Sequence, residues 1–134
     1  MSTEIPRLYH RLEGTAASVG VLRRALRRWL AGVVDDRDVV DDLTLAAGEA
    51  LENSADHAFV GLPRCGTITL TAEVEHRAGI RDVVIAVVDD GCWQPPAADP
   101  GHRGRGLAMI AGLADTHRLI AGRSGTSLTL RHSY

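Results

Sequence analysis

The sequence predicts a two-layer α/β sandwich of the α+β kind, a mostly antiparallel sheet with three helices on one face, formed by residues 1–134 as a single domain. Three observations carry this expectation. Apolar residues recur at helical spacing in some segments and alternate or run unbroken in others. The segments follow the order β-α-α-β-β-loop-α-β-β, which pairs strands in clusters instead of repeating βαβ units. A chain of 134 residues, 45% apolar and 24% charged, is large enough for one core without disulfide or metal support.

Ile5 to Leu12 alternates loosely and suits a first strand, broken at Gly14. From Thr15 to Val33, residues Val19, Leu22, Leu26, Trp29 and Leu30 form an apolar stripe of a helix that stops near Gly32. Arg23, Arg24, Arg27 and Arg28 lie off that stripe and read as a solvated helix face. Asp35, Asp36 and Asp38 supply the cap and first-turn acids of a second helix, Arg37 to Ala58. Its packed face is expected from Val39, Leu43, Ala46, Ala47, Ala50, Leu51 and Ser54, with Gly48 costing about 1 kcal/mol relative to Ala. Gly61 to Gly66 is a turn, and Thr67 to Val74 is a half-buried strand by its alternation. A turn at His76 to Gly79 leads to the apolar run Val83 to Val88, a central strand. Asp89 to Arg103 is a loop rich in Gly, Pro and Asp, and Gly104 to Ala114 is a short third helix. His117 to Ile120 and Thr126 to Arg131 are the last strands, around a turn at Gly122 to Gly125.

Composition removes several function classes. A net charge of -2 argues against a general nucleic-acid surface, which would be strongly basic. The two cysteines, Cys65 and Cys92, have neither disulfide-framework nor zinc spacing. The first residues lack an apolar signal core, and no apolar run approaches the ~18 residues of a membrane span. The expectation is a cytoplasmic protein. Aromatic residues are 4% of the chain, so the core must be built from Ala, Val, Leu and Ile.

Three motifs carry chemistry. On the second helix, Glu49 and Asn53 are four apart and share a face, which His57 extends. An Asn carbonyl is a hard ligand suited to Mg²⁺, and a carboxylate one turn away can take a proton from a hydroxyl. The same spacing also describes an ordinary solvated helix face. At the end of the apolar strand, Asp89-Asp90-Gly91 places a carboxylate at the rim of the sheet, where it can accept from an exocyclic amine. Gly91 permits close backbone approach, although Asp and Gly are also common turn residues. The third motif is Gly101 to Ile110, whose glycines precede a helical pattern. Free N–H groups at a helix start suit phosphate, and Arg103 and Arg105 can add charge-assisted contacts. The alternative there is a glycine hinge. It is neither a Walker loop, for want of Gly-Lys-Ser/Thr, nor a Rossmann fingerprint, for want of a preceding strand.

In this order the motifs resemble the N box and the two glycine boxes of the superfamily that joins gyrase, heat-shock chaperone, histidine kinase and mismatch-repair ATPases, over about residues 14–132. Within it, the stretch Ala47 to Phe59, the segment Asp89 to Pro96, Arg103 to Leu107 and the ending Gly125 to Leu130 resemble the single-domain anti-sigma factor serine kinases of actinobacteria. The resemblance implies a histidine-kinase-like ATPase fold binding ATP and Mg²⁺. It implies Glu49 as general base, Asn53 on Mg²⁺, and Asp89 on the adenine amine with Gly91 at the pocket floor. Gly104, Gly106 and Leu107 would close over the phosphates with Arg103 and Arg105, and Thr126 would support the adenine end. Asp90 to Arg103 would be the lid. Glu52 and Asp56 are further carboxylates near Asn53, so the choice of Glu49 comes from the resemblance. The implied partners are a sigma factor, a STAS-type anti-sigma antagonist and a second copy of the chain, with no direct nucleic acid and no membrane.

One departure stands out: Trp93 occupies the place of the first glycine box's usual second glycine. It supports an alternative in which ATP only gates a docking module without phosphotransfer. A third reading, a histidine kinase domain cut from a larger protein, lacks the helical hairpin with a phosphoacceptor His before the domain.

Overall fold

The computed structural model describes residues 5–58, 66–91, 115–122 and 125–134. In chain order these form β1 (Leu8–Glu13), α1 (Ala16–Ala31), α2 (Arg37–Asn53) running into one π-helical turn (Ser54–Ala58), β2 (Thr67–Arg77), β3 (Ile80–Asp89), β4 (Thr116–Gly122) and β5 (Gly125–Ser133). The five strands make one antiparallel sheet in the order β1-β2-β3-β5-β4. The third expected helix, Gly104 to Ala114, lies outside the described residues, as do the turn at residues 61–65 and most of the expected lid.

Helix α1 starts where Thr15 Oγ1 accepts from the Ser18 N–H at 3.2 Å. It ends at Gly32, whose N–H returns to the Trp29 carbonyl at 3.1 Å. Val19, Leu22, Leu26 and Leu30, spaced three and four apart, are all buried. Helix α2 is capped by Asp36, whose Oδ1 accepts from the Asp38 N–H at 2.9 Å. Its buried stripe is Val40, Leu43, Thr44, Ala46, Ala47, Gly48, Ala50 and Leu51. Val40 replaces the expected Val39, which is only partly buried. Both valines fit a helical period, and the docking of α2 decides between them.

The two helices are tied by charge as well as by packing. Arg23 Nη2 donates to Glu52 Oε1 at 2.6 Å, and Arg27 Nη2 pairs with Asp41. A Cβ at Gly48 would lie 2.7 Å from Arg23 Nε, so the glycine makes room for the guanidinium to cross α2. The arginine row is therefore divided: Arg24 and Arg28 are exposed, while Arg23 and Arg27 brace the helix pair.

The sheet meets the helices through Ile68, Leu70 and Ala72 of β2, Val83, Ile85 and Val87 of β3, and Leu128 and Leu130 of β5. Period-two alternation puts Asp89 on that same inward series. Strand β1 starts at Leu8, later than expected, because the carbonyl of Pro6 is taken by the Trp29 indole N–H at 2.8 Å instead of a sheet neighbour. Strands β2 and β3 are longer than their apolar patterns, since Glu75↔Asp82, His76↔Arg81 and Arg77↔Ile80 continue the ladder with polar side chains. Ala78 and Gly79 close this hairpin with φ of 50° and 81°.

Candidate functional site

Asp89 is the last residue of β3 and its side chain turns under the end of α2. It is 4% exposed. Its Oδ2 accepts from Ser54 Oγ at 2.6 Å and its Oδ1 from the Gly91 N–H at 3.1 Å. Burial pushes the carboxyl above the usual carboxylate range. The Ser54 hydroxyl and the Gly91 and Thr126 backbone N–H groups pull it back, while the charge on Asp90 adds to the rise. Asp90 faces the other way. The Thr67 N–H donates to its Oδ1 at 2.7 Å and Thr67 Oγ1 to its Oδ2 at 3.1 Å, closing the start of β2 onto the end of β3. The strand's pleat thus gives the two adjacent aspartates different work: Asp90 is structural, and Asp89 faces the interior.

Across the ladder Asp89 is paired with Thr126 of β5. Thr126 Oγ1 is buried and has no hydrogen-bond partner among the described residues. Gly125 makes this approach possible: its φ is 146°, and a Cβ there would lie 2.1 Å from the Asp89 carbonyl oxygen. A buried hydroxyl left unpaired costs about 1–3 kcal/mol, so a polar ligand reaching it would recover that cost. Together the cluster offers one hydroxyl, able to donate, and one carboxylate with spare acceptor capacity, a set that suits a base bearing an exocyclic amine.

Helix α2 brings its polar residues to the same end of the sheet. Asn53 precedes Ser54, and Glu49 lies one turn earlier; both are half-buried. Of the other carboxylates nearby, Glu52 is engaged by Arg23 at 2.6 Å, and Asp56 is exposed on the π turn. Glu49 has no ion-pair partner among the described residues. The expected stripe through His57 is broken, because α2 passes into a π turn after Asn53. The wider turn removes the four-residue repeat that the stripe assumed.

The structure therefore groups five expected site residues: Glu49 and Asn53 on α2, Asp89 and Gly91 at the end of β3, and Thr126 on β5. Arg103, Gly104, Arg105, Gly106 and Leu107 lie outside the described residues. Ser54 was expected only as a packing residue. A small polar residue inside an apolar helix face was the available signal, and its partner Asp89 is thirty-five positions away.

An antiparallel sheet covered on one face by two helices, with a buried carboxylate and an unpaired hydroxyl at its rim, defines an ATPase-type α/β sandwich. The chain belongs to the histidine kinase-like ATPase domain family, whose model matches residues 12–132. This membership makes it an ATP-binding domain of the superfamily that the three motifs resemble. Among solved structures it is similar to the crystal structure of the RsbU and RsbW domains of Rv1364c from Mycobacterium tuberculosis, with 29% identity over 96% of this chain and a TM-score of 0.75. The chain spans 33% of that larger chain's length. No helix among the described residues is long and apolar enough to cross a membrane.

Proposed function

We propose that this chain is a Mg²⁺-ATP-dependent protein serine/threonine kinase of the anti-sigma type. It would hold a sigma factor and phosphorylate a serine of a STAS-type antagonist, working as a homodimer in the cytoplasm. The observation that carries the reading is the buried Asp89 carboxylate beside the Thr126 hydroxyl, which has no partner among the described residues, at the end of the helix bearing Glu49 and Asn53. The likeness to the RsbU and RsbW domain structure supports the choice of substrate and partners.

In this reading Asp89 accepts from the adenine amine and Thr126 offers its hydroxyl to the same end of the base. Gly91 and Gly125 keep the backbone close to the pocket. Asn53 would hold Mg²⁺ through its carbonyl oxygen, and the metal, when bound, neutralises phosphate charge. Glu49 takes the proton of the partner's serine hydroxyl as that oxygen attacks the γ-phosphorus. The bond to the β–γ bridging oxygen breaks and ADP leaves. Arg103 and Arg105, with Gly104, Gly106 and Leu107, would supply charge and N–H groups to the phosphates.

Titration calorimetry with Mg²⁺-ATP tests the pocket. Wild type is expected to bind, and Asp89→Asn to lose roughly a hundredfold in affinity, because an amide presents a donor where the amine needs an acceptor. A phosphotransfer assay with candidate antagonists then tests the chemistry, with Glu49→Gln expected to bind ATP normally and transfer at least about a hundredfold more slowly. Binding without transfer by wild type to any partner would leave a nucleotide-gated docking module. Absence of binding by wild type would remove the proposal.

A further inference from the structure

Two buried hydroxyls on α2 and its π turn behave differently. Thr44 Oγ1 donates to the Val40 carbonyl of its own helix at 2.7 Å, the usual resort of a buried hydroxyl with nothing else to satisfy. Ser54, 6% exposed, instead donates across to the sheet, to Asp89 Oδ2. The 2.6 Å length falls in the range of O–H···O⁻ bonds, shorter than the usual neutral hydroxyl bond. The two oxygens of Asp89 are thus held by donors from two elements, Ser54 on one and Gly91 N–H on the other. With the Thr126 backbone N–H as a third donor, this fixes the rotation of the carboxylate and leaves about one of its roughly four lone-pair sites. What remains of the side chain can only accept.

We infer that Ser54 is a specificity-determining residue: its hydroxyl holds Asp89 as an oriented acceptor, so that the site takes 6-amino purine nucleotides and rejects 6-oxo purines. The inference rests on the proposed role of Asp89 at the base, and concerns how that role is enforced. An adenine presents a donor at position 6, which a carboxylate satisfies. A hypoxanthine presents an oxygen there, and two acceptors facing each other in a buried site repel. A protonated Asp89 would reverse the preference, because a carboxylic acid can donate to that oxygen. Ser54 works against protonation by bonding the charged form. Among the described residues, the other groups acting on it are the Gly91 and Thr126 backbone N–H groups, which favour the charged form, and the charge of Asp90, itself tied to Thr67. Strand β2 faces it with Ile68, β5 with Thr126, and the π turn with Ser54.

The test compares Mg²⁺-ATP and Mg²⁺-ITP binding by calorimetry, in wild type, Ser54→Ala and Ser54→Thr, between pH 5.5 and 8. Wild type is expected to prefer ATP by at least about a hundredfold at pH 8, and to lose that preference only at lower pH than Ser54→Ala does. In Ser54→Ala the preference should narrow by roughly tenfold and shrink further as pH falls, since Asp89 then protonates at higher pH. Ser54→Thr keeps the hydroxyl and should restore the preference. A purely structural role for Ser54 would weaken both nucleotides alike and leave the ratio unchanged; that result, with wild type binding ATP, overturns the inference and spares the pocket. Failure of wild type to bind either nucleotide removes the pocket and the inference together.

Discussion

Strand β3 carries a buried carboxylate near each end, and the two live in opposite circumstances. Asp82 and Asp89 are seven residues apart, about 23 Å along an extended strand. Asp82 is fully buried but fully satisfied. Ser133 Oγ donates to its Oδ1 at 2.6 Å, and Arg131 and Arg77 donate to its Oδ2 at 3.1 and 3.2 Å. Arg131 also reaches Glu75 at 2.7 Å, completing a network across β2, β3 and β5. The Ser133 hydroxyl first, and the two guanidinium groups with it, hold Asp82 below the usual carboxylate range despite its burial. At the other end burial wins and Asp89 is held above that range. Among the described residues it has no guanidinium, and the Thr126 hydroxyl, on the residue paired with it across the ladder, has no hydrogen-bond partner. One end is finished and the other leaves hydrogen-bonding capacity unspent, which is how a binding site differs from a structural network.

The largest test of this contrast uses glycine. Gly125→Ala would drive a Cβ into the Asp89 carbonyl at a φ that side chains rarely adopt, and should cost at least about 3 kcal/mol. At the distal hairpin, Gly79 has φ of 81° and open space around it, so Gly79→Ala should cost only about 1 kcal/mol. Denaturant unfolding of the two variants measures both. Equal costs would mean that β5 can move away from Asp89, and that the pocket is looser than its geometry.

The aspartates themselves give the next test, in opposite directions. Asp82→Asn removes a charge that two arginines and a serine were arranged to meet, and should lower stability at neutral pH. Asp89→Asn removes a buried charge without a cationic partner among the described residues, and should leave stability equal to or above wild type while nucleotide binding is lost. The pH dependence separates them further. Asp82 has a lowered folded pKa, so its contribution is present above the ordinary carboxylate pKa and is lost as pH falls toward its folded value. Asp89 has a raised folded pKa, so the folded state binds its proton more tightly. Its contribution is present below the ordinary carboxylate pKa and is lost as pH rises through the raised value. Unfolding free energies measured across the acid range should therefore rise less steeply with pH in Asp82→Asn than in wild type, and more steeply in Asp89→Asn. Parallel profiles for the two variants would refute the contrast.

The two ends also differ in what the sequence discloses. Helix spacing in α1, alternation in β2 and the apolar run of β3 are local signals, and they place the antiparallel sheet and its inner face correctly. Asp89 follows from the same run, because the inward series Val83, Ile85, Val87 ends on it, and the motif resemblance supplies its meaning. The distal network has no such signature. Asp82 falls between the turn expected at His76 to Gly79 and the apolar run from Val83, assigned to neither, and its partners Arg131 and Ser133 are 49 and 51 positions away, brought to it only by the β3–β5 register. Ser54 escapes for the same reason, and the π turn because it depends on how the end of α2 meets the sheet. Pairing at long range fixes these features, and periodicity does not record it.

The smallest expected effect isolates the finished end. Ala78 is exposed at the tip of the β2–β3 hairpin and holds φ of 50°, a left-handed conformation that costs an alanine about 1–2 kcal/mol. Asparagine tolerates that region and is the favoured partner of glycine in a two-residue turn. Ala78→Asn should therefore raise stability by about 0.5–1 kcal/mol in denaturant unfolding. The turn lies about 30 Å along β3 from Asp89, so Mg²⁺-ATP affinity should not change. A stabilised variant with weaker nucleotide binding would mean that strain at the hairpin is felt in the pocket. The two ends of β3 would then be one coupled unit, and the unpaired hydroxyl of Thr126 would have to be explained from the whole strand.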